Sequence, residues 1–106
     1  MLMVTTDEIA GHQIVQVLGL VRGSTVRAKH IGSDIVASLR NLVGGEVREY
    51  AQLMAGAREQ ALDRMADEAR GMGADAVVAV RMTTAAIAAS SSEVLAYGTA
   101  VRLAPQ

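Results

Sequence analysis

The stretch from Val47 to Met82 constrains this chain more than any other, because a long helical pattern, a glycine stop and a buried-strand pattern follow one another without interruption. Tyr50, Met54, Ala57, Ala61, Met65, Ala69 and Met72 recur at three- or four-residue steps, close to the helical period of about 3.6, and so share one stripe. Arg48, Glu49, Gln52, Glu59, Asp63, Arg64, Asp67, Glu68 and Arg70 fall mostly on the opposite face, where Arg64 with Glu68 and Asp67 with Arg70 are spaced for ion pairs. Gly45 is the expected N-cap, and Glu46 sets a carboxylate near the positive end of the helix dipole. Gly73 just after Arg70 is the expected stop. The following Ala76-Val77-Val78-Ala79-Val80 is apolar on both parities, as a strand covered on both faces requires.

The length of this helix raises a question that the rest of the sequence has to answer. From Val47 to Met72 it extends about 39 Å, against a diameter of about 33 Å for a spherical domain of 106 residues. One end is therefore expected to project or to rest on a neighbour. The core available to it is of an unusual kind, with no Phe, no Trp and two Tyr. Small aliphatic side chains allow close backbone approach but bury little area each, so a lone subunit is expected to be marginally stable. Both features point to self-assembly of a single-domain chain, residues 1–106.

Elsewhere the chain reads mainly as strand. Leu2 to Thr5 suggests a short strand, and Thr6 to Gly11 a turn. Gln13 to Ala28 is rich in β-branched residues but too long for one flat strand in so small a domain, which places a bulge or bend at Gly19 or Gly23, with the second half free to join another sheet or subunit. Asp34 to Val43 reads as a short amphipathic helix. Strands are expected at Ala76 to Thr84 and Glu93 to Leu103, with Leu95, Tyr97, Val101 and Leu103 on one face and a small-residue loop between them.

The chemistry-bearing residues are sparse. A net charge of −1 gives no reason to expect nucleic acid. No apolar run is long enough to cross a membrane, and the N-terminus lacks a positively charged leader pattern, so a cytoplasmic protein is the expectation. Without cysteine, a metal site would have to use His12 and His30, which lie in separate turns and lack the short spacing that puts two ligands on one element. A divalent metal ion is the one cofactor these residues leave open. The Met residues of the helical stripe read as gap-filling core. Asp75 opens a buried strand, where hydrogen bonds to backbone amides or an arginine would satisfy it. Asp34 reads as a helix cap and Arg40 as an interface cation, while Gly44 and Gly45 offer the most credible anion position at the start of the long helix. Gly19 to Thr25 lacks the Gly-Lys-Ser/Thr core of a phosphate loop, and Ser90-Ser91-Ser92 has no histidine placed to activate it. No catalytic constellation emerges.

Gly11-x-x-Ile14-Val15, Gly19-x-Val21-x-Gly23, Asp34-x-x-Ala37-x-Leu39-Arg40-Asn41-Leu42-Val43-Gly44-Gly45, Ala57-Arg58, Gly73-Ala74-Asp75-Ala76-Val77-Val78 and Gly98-Thr99-Ala100-Val101 together resemble the YbjQ family, described as heavy-metal-binding. The resemblance spans nearly the whole chain. It implies an α+β fold with a dodecin-subunit-like β-α-β-β core: an antiparallel sheet packed on one long helix, with extra short strands that promote assembly into a homopentameric ring. His30 stands where the family commonly has Asn, and Ser33 precedes Asp34 where Arg is common. Set beside this pattern, Asp34, Arg40, Gly44, Gly45, Arg58 and Asp75 read as interface or junction residues. The functional expectation is a non-enzymatic cytoplasmic homo-oligomer with a ligand bound at subunit junctions. Heavy-metal binding at those junctions is the alternative, and an interface enzyme using Asp34, Arg40 or Asp75 a third.

Overall fold

The computed structural model describes residues 1–28, 44–88 and 91–106. In chain order these form β1 (Leu2–Met3), β2 (His12–Ala28), α1 (Gly44–Gly71), β3 (Ala76–Ala88) and β4 (Ser91–Pro105). The strands make one sheet in the order β1-β3-β4-β2, with β3, β4 and β2 antiparallel and β1 parallel to β3. The expected antiparallel sheet on one long helix is thus present, made mixed by its first short strand. The short helix expected from Asp34 to Val43 lies outside the described residues.

Helix α1 crosses one face of the sheet, and the stripe of small side chains explains how closely it lies. Met54, Ala57, Ala61, Met65 and Ala69 are buried against Val21, Val77, Val80, Val94, Ala96 and Ala100. Met72, counted in the stripe by spacing, is 40% exposed because the helix has ended before it. The tightest approach is at Gly23 of β2, where a Cβ would collide with Ala61 O, Met65 N and, at 2.8 Å, Arg64 Cβ. Only glycine lets the helix backbone rest on the strand here. Of the two expected helical ion pairs, Asp67–Arg70 forms at 2.8 Å. Arg64 instead donates to Ser24 O at 2.6 Å, and Arg27 donates to Gln60 Oε1 at 2.7 Å, so both arginines tie α1 to β2. The stop is a paired cap: Gly73, at φ 79°, donates to Arg70 O (3.0 Å), and Ala74 donates to Ala69 O (3.1 Å).

A second, smaller core occupies the opposite face. Ala76, Val78 and Val101 are buried there under Val4, Ile9, Ile14 and Leu103, so the N-terminal turn covers what the helix does not reach. This is why the start of β3 is apolar on both parities. The two faces are reconciled by a bulge. The register jumps from Val78↔Thr99 to Arg81↔Tyr97, one extra residue on β3, and Ala79 adopts φ 54° within it. Val78 therefore joins the outer core while Val80, two residues on, joins the helix-side core. Strand β2 carries two register shifts of its own, between Ile14 and Gln16 and between Val17 and Gly19. The bend expected at Gly19 or Gly23 is thus at Gly19, and β2 stays in one sheet, pairing with β4 from His12 to Ala28.

Beyond the bulge the strand changes character. Every residue from Arg81 to Ala88 is exposed, including Met82 (45%) and Ile87 (54%). The strand expected to end at Thr84 continues to Ala88, and β4, expected from Glu93, begins at Ser91, so the small-residue loop expected around Ala88 to Ser92 is shorter than its composition suggests. Small Ala and Thr side chains do not prevent pairing once the two strands form one hairpin ladder.

Candidate functional site

A cleft of about 790 Å³ sits at the N-terminal turn, lined by Thr6, Asp7, Glu8, Ile9, His12, Gln106 and their neighbours. The turn is held from within. Thr6 Oγ1 donates to Glu8 O at 2.6 Å, His12 N–H donates to Ile9 O at 3.1 Å, and Gln106 N–H donates to Gly11 O at 3.2 Å. The His12 ring places Nδ1 at 3.2 Å from Ala10 O. The carbonyl can only accept, so Nδ1 carries the proton of that bond, and in a neutral ring Nε2 would be the nitrogen left to ligate.

One oriented histidine is not a metal site. Among the described residues no group of three or more His, Cys, Asp or Glu side chains is close enough to hold an ion. The donor set of the described part of one chain therefore does not fit a resident heavy metal. His30 falls outside the described residues, as do Asp34 and Arg40.

Asp75 sits where the helix stop meets β3, exposed to solvent. Its carboxylate accepts the Leu103 N–H at 2.8 Å, and its own N–H donates to Val101 O at 2.9 Å. It closes the end of the β3–β4 ladder, the backbone bond expected for a carboxylate at this position. Arg58 lies on the exposed face of α1, and Gly44 and Gly45 form its first residues. The expected sites are thus scattered: His12 at the turn, Asp75 at the junction, Arg58 on the helix.

The sequence reading missed a different grouping. On the sheet face away from α1, Tyr97 lies directly between Arg22 of β2 and Arg81 of β3. Leu95 and Tyr97 were placed on one face by alternation, but their cross-strand partners depend on the bulges, which a single strand does not announce.

Taken together, the α-helix packed on a four-stranded mixed sheet, with an outer N-terminal turn, defines a small α+β fold. The same fold is found in a crystal structure of a protein of unknown function from Pediococcus pentosaceus, a DUF74 family member. It is 17% identical, covers 98% of both chains and has a TM-score of 0.57. Residues 1–104 match the YbjQ family model, "Putative heavy-metal-binding", and the chain belongs to that family. Relatives named UPF0145 protein are similar over most of their length. One from Halorubrum lacusprofundi is 59% identical over 92% of this chain and 94% of its own. One from Dehalococcoides mccartyi is 54% identical over 95% and 97%, and one from Methanosarcina acetivorans 52% over 97% of each. No helix of the described residues is long and apolar enough to cross a membrane.

Proposed function

We propose that this chain is a single-domain, non-enzymatic, cytoplasmic subunit that assembles with copies of itself into a closed ring, a homopentamer, and binds its ligand at the junctions between subunits. The observation that carries the reading is the far end of β3. From Arg81 to Ala88 it is exposed throughout, and no described strand borders its outer edge. The segment has no Lys and no Pro, the residues that guard a free edge against pairing with another chain. The excess surface is of the right size. The chain exposes 6416 Å², whereas size scaling gives about 5,600 Å² for a compact monomer of this mass. The difference approaches the ~800 Å² that each partner contributes to a standard interface. The radius of gyration, 17.1 Å against about 13 Å for a compact chain, agrees.

A subunit that adds the β3 edge of one copy to a different surface of the next makes a head-to-tail contact, which closes into a ring when the rotation permits. Light scattering at micromolar concentration tests this. A mass near five times the 11.1 kDa chain is expected, and a folded monomer of 11.1 kDa would refute it.

Heavy-metal binding at the junctions is the second reading, favoured by the His12 ring, whose Nδ1 is engaged by Ala10 O and which presents Nε2 as the nitrogen available to ligate. A ring brings several copies of one histidine into a shared environment, which supplies the ligand count that the described part of one chain lacks. Zn, Cu or Ni should then raise the melting temperature of the assembled protein, and His12→Ala or His30→Ala should remove the gain. Absence of any metal-dependent stabilisation would rule this reading out.

A further inference from the structure

Beyond the bulge in β3 the sheet narrows to three strands, β3-β4-β2, and both of its outer edges are open among the described residues. One open edge is residues 81–88 of β3. The other is β2, where two register shifts interrupt the pairing before Gly19, while residues 20–28 run in unbroken register with β4. Bulges keep an edge from joining another strand, so only the second half of β2 is unprotected. That half has no Lys and no Pro, and Leu20 (62%) and Val26 (52%) stand exposed on it. The two open edges flank the same stretch of β4, residues 91–97, and so are nearly matched in length.

The position of α1 makes these edges unlike. The helix lies mainly over β2, less over β4 and least over β3. Gly23 rests against the backbone of Ala61 and Met65, Arg64 donates to Ser24 O, and Arg27 donates to Gln60 Oε1, all of them ties to β2. This offset leaves the helix-side face of the far half of β3 bare. Met82, Thr84 and Ala86 are exposed there although they sit opposite Ala96, Val94 and Ser92, which are buried. The same offset carries α1 toward the open side of β2. A helix about 10 Å across that lies mainly over β2 overhangs the position one strand spacing, about 4.8 Å, outside it. One edge therefore lacks helix cover, and the other provides it to a strand that is not there.

We propose that the surface receiving the β3 edge of one copy is the edge of β2, residues 20–28, in the next copy, so that Met82, Thr84 and Ala86 pass under that copy's α1. This rests on the ring reading above and names the partner surface within it. Main-chain hydrogen bonds supply the joint. The small side chains of Thr84 and Ala86 admit the neighbour's helix closely, as Ala57 and Ala61 admit α1 within one chain. Strands β2 and β3 both run antiparallel to β4 and so point the same way. The rotation between neighbours in a five-membered ring is too small to reverse a strand, which makes the joint parallel. Where the free edge of β3 starts, a cleft of about 440 Å³ lined by Thr5, Val80, Arg81 and Met82 separates the end of the N-terminal strand from the position of the incoming one.

The chain has no cysteine, so disulfide trapping reports only on positions chosen for it. Ala85 and Val26 both pair with Glu93 and within one chain lie two strand spacings apart, about 9.6 Å, beyond the roughly 7 Å between Cα atoms that a disulfide bridges. Ala85→Cys is combined in turn with Leu20→Cys, Arg22→Cys, Ser24→Cys, Val26→Cys and Ala28→Cys, exposed positions along the open edge of β2. After mild oxidation at least one pair should give a ladder of covalent multimers on a non-reducing gel, while every single variant stays a single chain. Light scattering of the reduced variants identifies those that keep the multimeric mass. Hydrogen exchange of the unsubstituted protein needs no cysteine: amides of residues 20–28 that do not donate to β4 should exchange at least about ten-fold more slowly than in Ile87→Ser. An assembled protein in which no pair that keeps its mass cross-links, or in which those amides exchange as fast as in Ile87→Ser, overturns this inference and leaves the ring standing. A monomeric mass of the unsubstituted protein overturns both. Cross-linking of Ala85→Cys to itself marks a two-fold joint and overturns the head-to-tail contact.

Discussion

The two halves of β3 differ more than any other pair of regions in the molecule. From Ala76 to Val80 the strand is enclosed, with α1 on one face and the N-terminal turn on the other. From Arg81 to Ala88 the same strand is exposed on both faces and unbordered along one edge among the described residues. Sequence tracks the change, valine giving way to Thr and Ala. The first half shows how a core without Phe or Trp closes, by backbone approach at Gly23 and by alanines on the helix. The second half shows what such a core leaves undone. Alanine-rich packing makes a thin core whose reach ends at the bulge, and β3 continues beyond that point exposed on both faces.

Substitutions can break this contrast at either end. The largest effect is expected from Gly23→Val, which forces a side chain into Ala61 O and Met65 N and should cost more than about 3 kcal/mol in denaturant unfolding. Met65→Ala follows at about 3 kcal/mol, because Met65 is fully buried in the helix-side core and its neighbours are too small to collapse into the space. On the uncovered half, Ile87→Ser should change the folding of one subunit by less than about 0.5 kcal/mol. The same change should shift the scattering mass toward the monomer, since the side chain is 54% exposed in a lone chain. A gentler probe works in the opposite direction. Thr25 is 1% exposed and its Oγ1 has no hydrogen-bond partner among the described residues. Thr25→Val removes an unsatisfied hydroxyl at nearly constant shape and should stabilise the protein by about 1 kcal/mol, read from the denaturation midpoint.

Much of the fold was legible in the sequence, for identifiable reasons. The stripe of α1 obeyed its period, Gly73 stopped the helix where the order of Arg70 and glycine placed it, and the both-faced apolarity of Ala76 to Val80 marked a strand enclosed on two sides. The length of β2 correctly demanded a bend, and positive φ at Gly19 supplied it. The extent of β3 was underestimated because Ala85 to Ala88 lack the bulk that marks a strand; their pairing comes from the ladder with β4, a non-local cause. The same limit applied to sites. His12 and Asp75 stood out one at a time as residue types, whereas the Arg22–Tyr97–Arg81 row exists only after three register shifts, in β2 and β3, have been summed. Helical spacing pairs Arg64 with Glu68, but the closeness of the helix to Gly23 brings Ser24 O within its reach instead.

The central claim is that the second half of β3 is completed by another copy of the chain, and amide hydrogen exchange at Met82 to Ala88 tests it most directly. In the assembled protein at micromolar concentration, the amides of this segment that do not donate to β4 should be strongly protected, approaching those of Val77 and Val78. In the Ile87→Ser variant they should exchange freely while Val77 and Val78 stay protected. Rapid exchange of those amides in the unsubstituted protein, at every concentration examined, would contradict the account.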